Sequence, residues 1–167
     1  GNAIVRDQNE IRIRKHSEEL ETIINNIPVG VSMIRVKDGR AVYEIINPPL
    51  CDLYGIPIGE TAAADRIAMQ RVQEPYRTQV WDKMQALSVP GTSVHTDFPY
   101  RKCEGEDIHW YRMSSRSVAF ESELLYFSCL SDITDEKRTE EEREKARKMY
   151  EAAVEAAKIV VWEYDIK

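Results

Sequence analysis

Leu124-Leu-Tyr-Phe-Ser-Cys-Leu-Ser-Asp-Ile-Thr134 is apolar and aromatic, long enough for a strand, and stops abruptly at Asp132-Ile133-Thr134. The next eleven residues, Asp135 to Lys145, contain no apolar side chain. A buried strand therefore runs straight into a solvated helix, with no loop between them to absorb a displacement. Such a junction lets a protein core push or twist an output rod.

On the N-terminal side of this strand, the turn Glu121-Ser122-Glu123 joins it to a strand-like segment at 107–120. Cys103-Glu104-Gly105-Glu106 joins that segment in turn to another at 93–102. Further upstream, Val31–Val36 and Ala41–Ile46 read as two strands around Lys37-Asp38-Gly39-Arg40, where Asp-Gly is a strong hairpin signal. Between the two strand groups, Asn47 precedes Pro48-Pro49 and reads as the N-cap of a short helix through Leu50, Leu53 and Tyr54, which Gly55 stops. Residues 56–73 read as turns and short helices. A longer helix runs from Glu74-Pro75 to about Leu87, with Tyr76, Val80, Trp81, Met84 and Leu87 at helical spacing. Consecutive hairpins give an antiparallel sheet, and the intervening helices must cover one of its faces. The expected fold class is α+β.

Both ends of the chain read as helices. Over residues 4–27, Ile13, Leu20 and Ile27 lie seven apart, and Ile23 or Ile24 falls between the last two. This amphipathic or coiled-coil pattern is satisfied equally by packing on its own domain or by a second copy. Ile13, Leu20, Ile24 and Ile27 are thus candidate dimer contacts. At the other end, residues 134–157 carry Glu141/Lys145 and Glu144/Lys148 pairs, each contributing about 0.2–0.5 kcal/mol. Residues 159–167, Ile-Val-Val-Trp-Glu-Tyr-Asp-Ile-Lys, alternate as a new strand. Both termini read as cut points within a longer protein.

Composition narrows the function. With 43 % hydrophobic residues the 167-residue chain can build a real core. A net charge of −6 with scattered basic residues argues against a nucleic-acid partner. Cys51, Cys103 and Cys129 are odd in number and lack CxxC spacing, so they read as free thiols in a reducing, cytoplasmic compartment. No apolar run approaches the roughly 18 residues of a membrane span. The metal reading fails on spacing. With the hairpin turn near Gly105, His109 falls opposite Tyr100 or Arg101 and His95 opposite Ser114 or Ser115, so the two histidines cannot share an ion. No Ser/His/Asp set, Walker loop or GxGxxG is present, and no enzyme activity is expected.

The order of elements, with Asp132-Ile133-Thr134 before a charged run, Asn47 before the short helix, and Tyr100-Arg101 and His109-Trp110-Tyr111 flanking a Gly turn, resembles the PAS family of sensory domains. The resemblance spans about Leu20 to Lys137. It implies a five-stranded antiparallel sheet with helices on one face. The organisation it implies is a flanking helix at 1–27, a PAS domain at 28–134, a linker helix at 135–157 and the truncated start of a second PAS domain at 158–167. It also implies a parent receptor with a histidine kinase or diguanylate cyclase output, with or without a membrane anchor.

The resemblance further implies a pocket between sheet and helices. Tyr111, Met113, Tyr126, Ser128 and Leu130 would line it from the sheet, and Val80 or Trp81 with Met84 from the helices. Asp132, Ile133 and Thr134 would relay the signal, and Trp110, facing away, would be a dimer contact. The buried hydroxyls need partners, which a small ligand, water or one another could supply. Haem is not expected, because residues 70–89 hold no histidine. Photoactive flavin is not expected either: the segment Gly59–Arg66 holds no cysteine, and Cys51 comes too early. The cofactor, if any, is not identified. A ligand-free dimerisation module is the alternative reading.

Overall fold

A computed structural model of the chain describes the backbone of residues 2–164 and the side-chain surroundings of residues 3–158. The elements are α1 (Asn2–Asn26), β1 (Gly30–Lys37), β2 (Arg40–Ile46), α2 (Pro48–Tyr54), α3 (Thr61–Ile67), α4 (Tyr76–Ala86), β3 (Ser93–Tyr100), β4 (His109–Phe120), β5 (Glu123–Asp132) and α5 (Thr134–Tyr164). The five strands form one sheet in the order β2-β1-β5-β4-β3, with every neighbouring pair antiparallel. The α+β expectation and the antiparallel sheet are thus met. The last strand lies at the centre, between β1 and β4. Two compact units, residues 1–132 and 133–167, divide at the end of β5.

Turn chemistry sets the hairpins. Asp38 and Gly39 take φ of 50° and 73°, the left-handed pair that a two-residue turn requires. The β4–β5 hairpin has the same geometry without glycine, since Glu121 and Ser122 sit at φ 47° and 67°. In the β3–β4 ladder His109 pairs with Tyr100 and His95 with Ser114, as the turn near Gly105 predicts.

Strand alternation sorts the two faces. On β4, Tyr111, Met113, Ser115 and Ser117 are buried under the helices, whereas Arg116 is exposed and Trp110 and Arg112 are half-buried. β2 departs from simple alternation. Its register shifts between Met33 and Ile34, so that Met33 faces Ile45 and Ile34 faces Tyr43. Glu44 is the extra residue of this bulge. Tyr43 consequently packs into the core, while Ile45, two positions on, stays exposed. Gly30 is needed for close approach: a Cβ there would lie 2.9 Å from Leu50 Cδ1 and 3.1 Å from Leu50 Cα.

One alternative left open by the sequence is narrowed and two expectations about the elements are corrected. α1 is not covered by its own domain; Ile13 and Leu20 are 65 % and 60 % exposed, and only Ile24 and Ile27 near its end are half-buried. The strand expected from residue 159 is helical through Tyr164, and residues 165–167 lie outside the described residues. Alternation alone cannot hold a strand that has no ladder partner, whereas a helix bonds its backbone internally. Trp81, expected on the helical wall, is 53 % exposed. Val80 already points inward, and the next residue on a helix turns about 100° away. Among the described residues no helix is long and apolar enough to cross a membrane.

Replacing Glu121-Ser122 with Asn-Gly (E121N/S122G) relieves two left-handed non-glycine residues, and stability is expected to rise by about 1 kcal/mol. A urea midpoint that fails to increase would contradict this account of the turn.

Candidate functional site

Asn47 is fully buried and uses every hydrogen-bonding position of its amide. Its Oδ1 accepts from the backbone N–H of Val31 at 2.8 Å and of Leu50 at 3.1 Å. Its Nδ2 donates to the carbonyls of Ile24 and Val29, each at 2.9 Å. The Leu50 bond is the expected N-cap of α2. The other three bonds tie the end of α1 and the start of β1 to the same side chain.

The residues expected to line a pocket are brought together, but as packed core. Val80, Tyr111, Met113 and Leu130 share one buried cluster with Leu50, Tyr54, Phe98 and Tyr100. Tyr126 belongs to a second cluster with Ile34, Leu87 and Val94, and half-buried Met84 packs against both. The Ser115 and Ser128 hydroxyls bond each other at 2.6 Å. The Tyr111 hydroxyl donates to the Leu53 carbonyl at 2.7 Å, and the Tyr43 and Tyr54 hydroxyls meet at 3.1 Å.

Tyrosine dominates one end of this space. Tyr100 stacks on Tyr111 with ring centroids 5.1 Å apart and leans on Tyr54 at 5.8 Å. Burial pushes the Tyr43 phenol up to about 12 and raises Tyr54, Tyr100 and Tyr111 as well. All four phenols therefore remain neutral hydroxyls across the physiological range. Tyr43, Tyr54 and Tyr100 were not singled out from the sequence as pocket residues. The period-two run Val94, Thr96, Phe98, Tyr100 on β3 was the signal that could have found Tyr100.

At the junction expected to relay a signal, Asp132 Oδ2 lies 3.0 Å from His109 Nδ1 across the β4–β5 pair. Asp132 and Tyr111 are register partners. Ile133 is buried and Thr134 opens α5. Trp110 is half-buried and meets the Tyr76 ring edge-on, with centroids 5.4 Å apart. Ile24 and Ile27 sit by the Asn47 clamp, whereas Ile13 and Leu20 lie well out along α1.

No protein-family model and no curated protein matches the sequence. Solved structures do match. A PAS domain of an HTR-like protein from Haloarcula marismortui aligns with a TM-score of 0.60 at 16 % identity, covering 76 % of this chain and 99 % of that one. The chain has the PAS fold. The Rhodobacter sphaeroides LOV protein is similar at a TM-score of 0.56 and 10 % identity, covering 71 % of this chain and 68 % of that one. The N-terminal domain of a diguanylate cyclase with PAS/PAC sensor from Marinobacter aquaeolei follows at 0.51 and 17 %, covering 64 % and 98 %.

Within this PAS fold the three cysteines are free; Cys51 is buried in α2, and Cys103 and Cys129 are exposed. Among the described residues no three His, Cys, Asp or Glu side chains gather as a metal site.

Asn47→Ala removes four bonds at once and leaves buried backbone groups unpaired, so a loss of about 3 kcal/mol or more is expected in urea unfolding. Asn47→Asp keeps the two acceptor contacts but turns a carboxylate oxygen toward two carbonyls, and is expected to be destabilising as well. A neutral effect of either substitution would contradict the clamp.

Proposed function

We propose that this chain is a non-catalytic sensory module. It takes a small molecule at its tyrosine-lined core and passes the change through α5 to an output domain of a longer receptor, such as a histidine kinase or diguanylate cyclase. The observation that carries this reading is the position of β5. It is the central strand, its Leu130 is part of the buried cluster, and its last residue pairs with Tyr111 just before α5 begins. Repacking around Tyr111 acts on Asp132 through the β-ladder, with no loop in between. A ligand drives such a shift only by binding one arrangement more tightly than the other. This reading does not favour cysteine-adduct flavin photochemistry, since the 59–66 segment offers no thiol and Cys51 is packed away.

The alternative, a ligand-free dimerisation module, is favoured by one observation of its own. Ile4, Ile11, Ile13, Leu20 and Ile23 of α1 are exposed on a helix whose exit is fixed by Asn47. A second copy would cover them as a helix pair. We include this homodimer in the sensory reading as its means of joining two output domains.

The two readings separate by substitution. Asp132→Ala in the receptor is expected to weaken output several-fold while ligand affinity and the folded state are largely retained, read by ligand titration and urea unfolding beside the output assay. Ile13→Lys with Leu20→Lys is expected to dissociate the dimer in sedimentation velocity and to spare ligand binding. An Asp132 variant that loses folding and output in parallel would contradict the relay.

A further inference from the structure

His109 holds the last residue of the central strand. Its Nδ1 lies 3.0 Å from Asp132 Oδ2, in a contact that crosses from β4 to β5. Of the other two histidines, His16 lies on the exposed α1, and His95 bonds the Ser114 hydroxyl at 2.9 Å. Among the described residues, neither of these meets a carboxylate. Histidine is the side chain whose ordinary change of charge falls between about pH 5 and 8. His109 thus brings such a group to the residue at which β5 hands over to α5.

The use of Nδ1 makes this contact depend on protonation. In the neutral ring Nδ1 carries a proton in one tautomer and a lone pair in the other, and the lone pair repels a carboxylate. In the imidazolium both nitrogens carry protons, so Nδ1 always donates, and the bond is charge-assisted. The His109 and Asp132 side chains are 32 % and 35 % exposed, so the ring exchanges protons with solvent while it stays within reach of its partner. Tyr100 of β3 is the register partner of His109, with Arg101 and Lys102 next in the chain. The Tyr111 ring lies 6.2 Å away, and burial followed by the Asp132 charge keeps its phenol neutral. Asp52 of α2 acts on the same phenol. Asp107 precedes His109 by two residues, and Arg112 meets Asp97 on the opposite face of β4. Of these groups, Asp132 is the carboxylate in hydrogen-bond contact with the ring.

We infer that His109 makes the β5–α5 junction responsive to pH: protonated, it clasps Asp132 and fastens the end of β5 to β4, and neutral, it holds that end less tightly. This rests on the relay at Asp132 proposed above and adds a regulatory input to it. The clasp is strongest at the acid end of the histidine range, where Asp132 is still ionised, and it weakens as pH rises through that range. Loosening passes straight to α5, because Ile133 alone stands between Asp132 and Thr134, and the first turn of α5 holds Asp135 and Glu136. A half-exposed pair acts modestly, so the response is graded rather than all-or-none.

The test is amide hydrogen exchange of the ¹⁵N-labelled chain across the histidine range, about pH 5.5 to 8, with rates corrected for the intrinsic effect of pH. The Lys137 N–H, which donates to the Ile133 carbonyl at 2.9 Å, reports the first turn of α5. Its protection is expected to rise about two- to fivefold toward the acid end, while amides around Leu125, at the far end of β5, keep theirs. His109→Gln, which cannot take up a charge, is expected to lose the rise, and His95→Gln to keep it. A flat profile at Lys137, a rise that survives in His109→Gln, or an equal rise around Leu125 would overturn the inference. Output weakened by Asp132→Ala beside a flat Lys137 profile would overturn the pH response and leave the relay standing.

Discussion

One buried amide holds the first half of the structure together. Asn47 is the point where α1 ends, β1 begins and α2 starts, and its four hydrogen bonds serve all three. Its own backbone joins in: its N–H donates to the Val31 carbonyl, and its carbonyl accepts from Leu50 and Cys51. No other uncharged side chain of this size offers two donors and two acceptors in so small a volume except glutamine, whose extra methylene would overreach. The close seating of α2 over Gly30 depends on this clamp, because the α2 N-terminus is fixed by the same atoms that fix β1.

From that point the geometry propagates across the sheet. β1 pairs with β5 from Gly30↔Leu130 to Val36↔Leu124, so the strand anchored by Asn47 lies directly against the strand that leads out to α5. On the other side of β5, β4 brings Tyr111 opposite Asp132 and ties its hydroxyl to the α2 carbonyl of Leu53. α2 is therefore linked to both neighbours of the central strand: to β1 through Asn47, and to β4 through Tyr111. A change in how α2 seats reaches β5 from both sides.

Much of this was legible in the sequence. The Asp38-Gly39 turn and the period-two runs located the strands, the turn near Gly105 gave the pairing of His95 and His109, and which face of β4 turns inward followed only from the PAS resemblance. Asn47 was readable as a helix cap, because Pro48-Pro49 follows it, but not as a four-way tie. Its other partners are backbone groups of Ile24, Val29 and Val31, and backbone groups leave no residue signature. The inward turn of Tyr43 was hidden by the bulge at Glu44, which breaks the period on which the strand reading depends. Trp81 misled because several apolar residues on α4 fit helical spacing while only a narrow stripe is covered. Residues 159–164 misled for the opposite reason: alternation describes a strand only when a neighbour supplies the ladder.

The central claim is that this chain is a ligand-responsive dimer rather than an inert core between two helices. Native mass spectrometry of the purified chain, gently desolvated, tests both halves in one spectrum. The account predicts a dimer carrying extra mass that leaves on activation, and the value of that mass would identify the ligand. A bare monomer at micromolar concentration would contradict it.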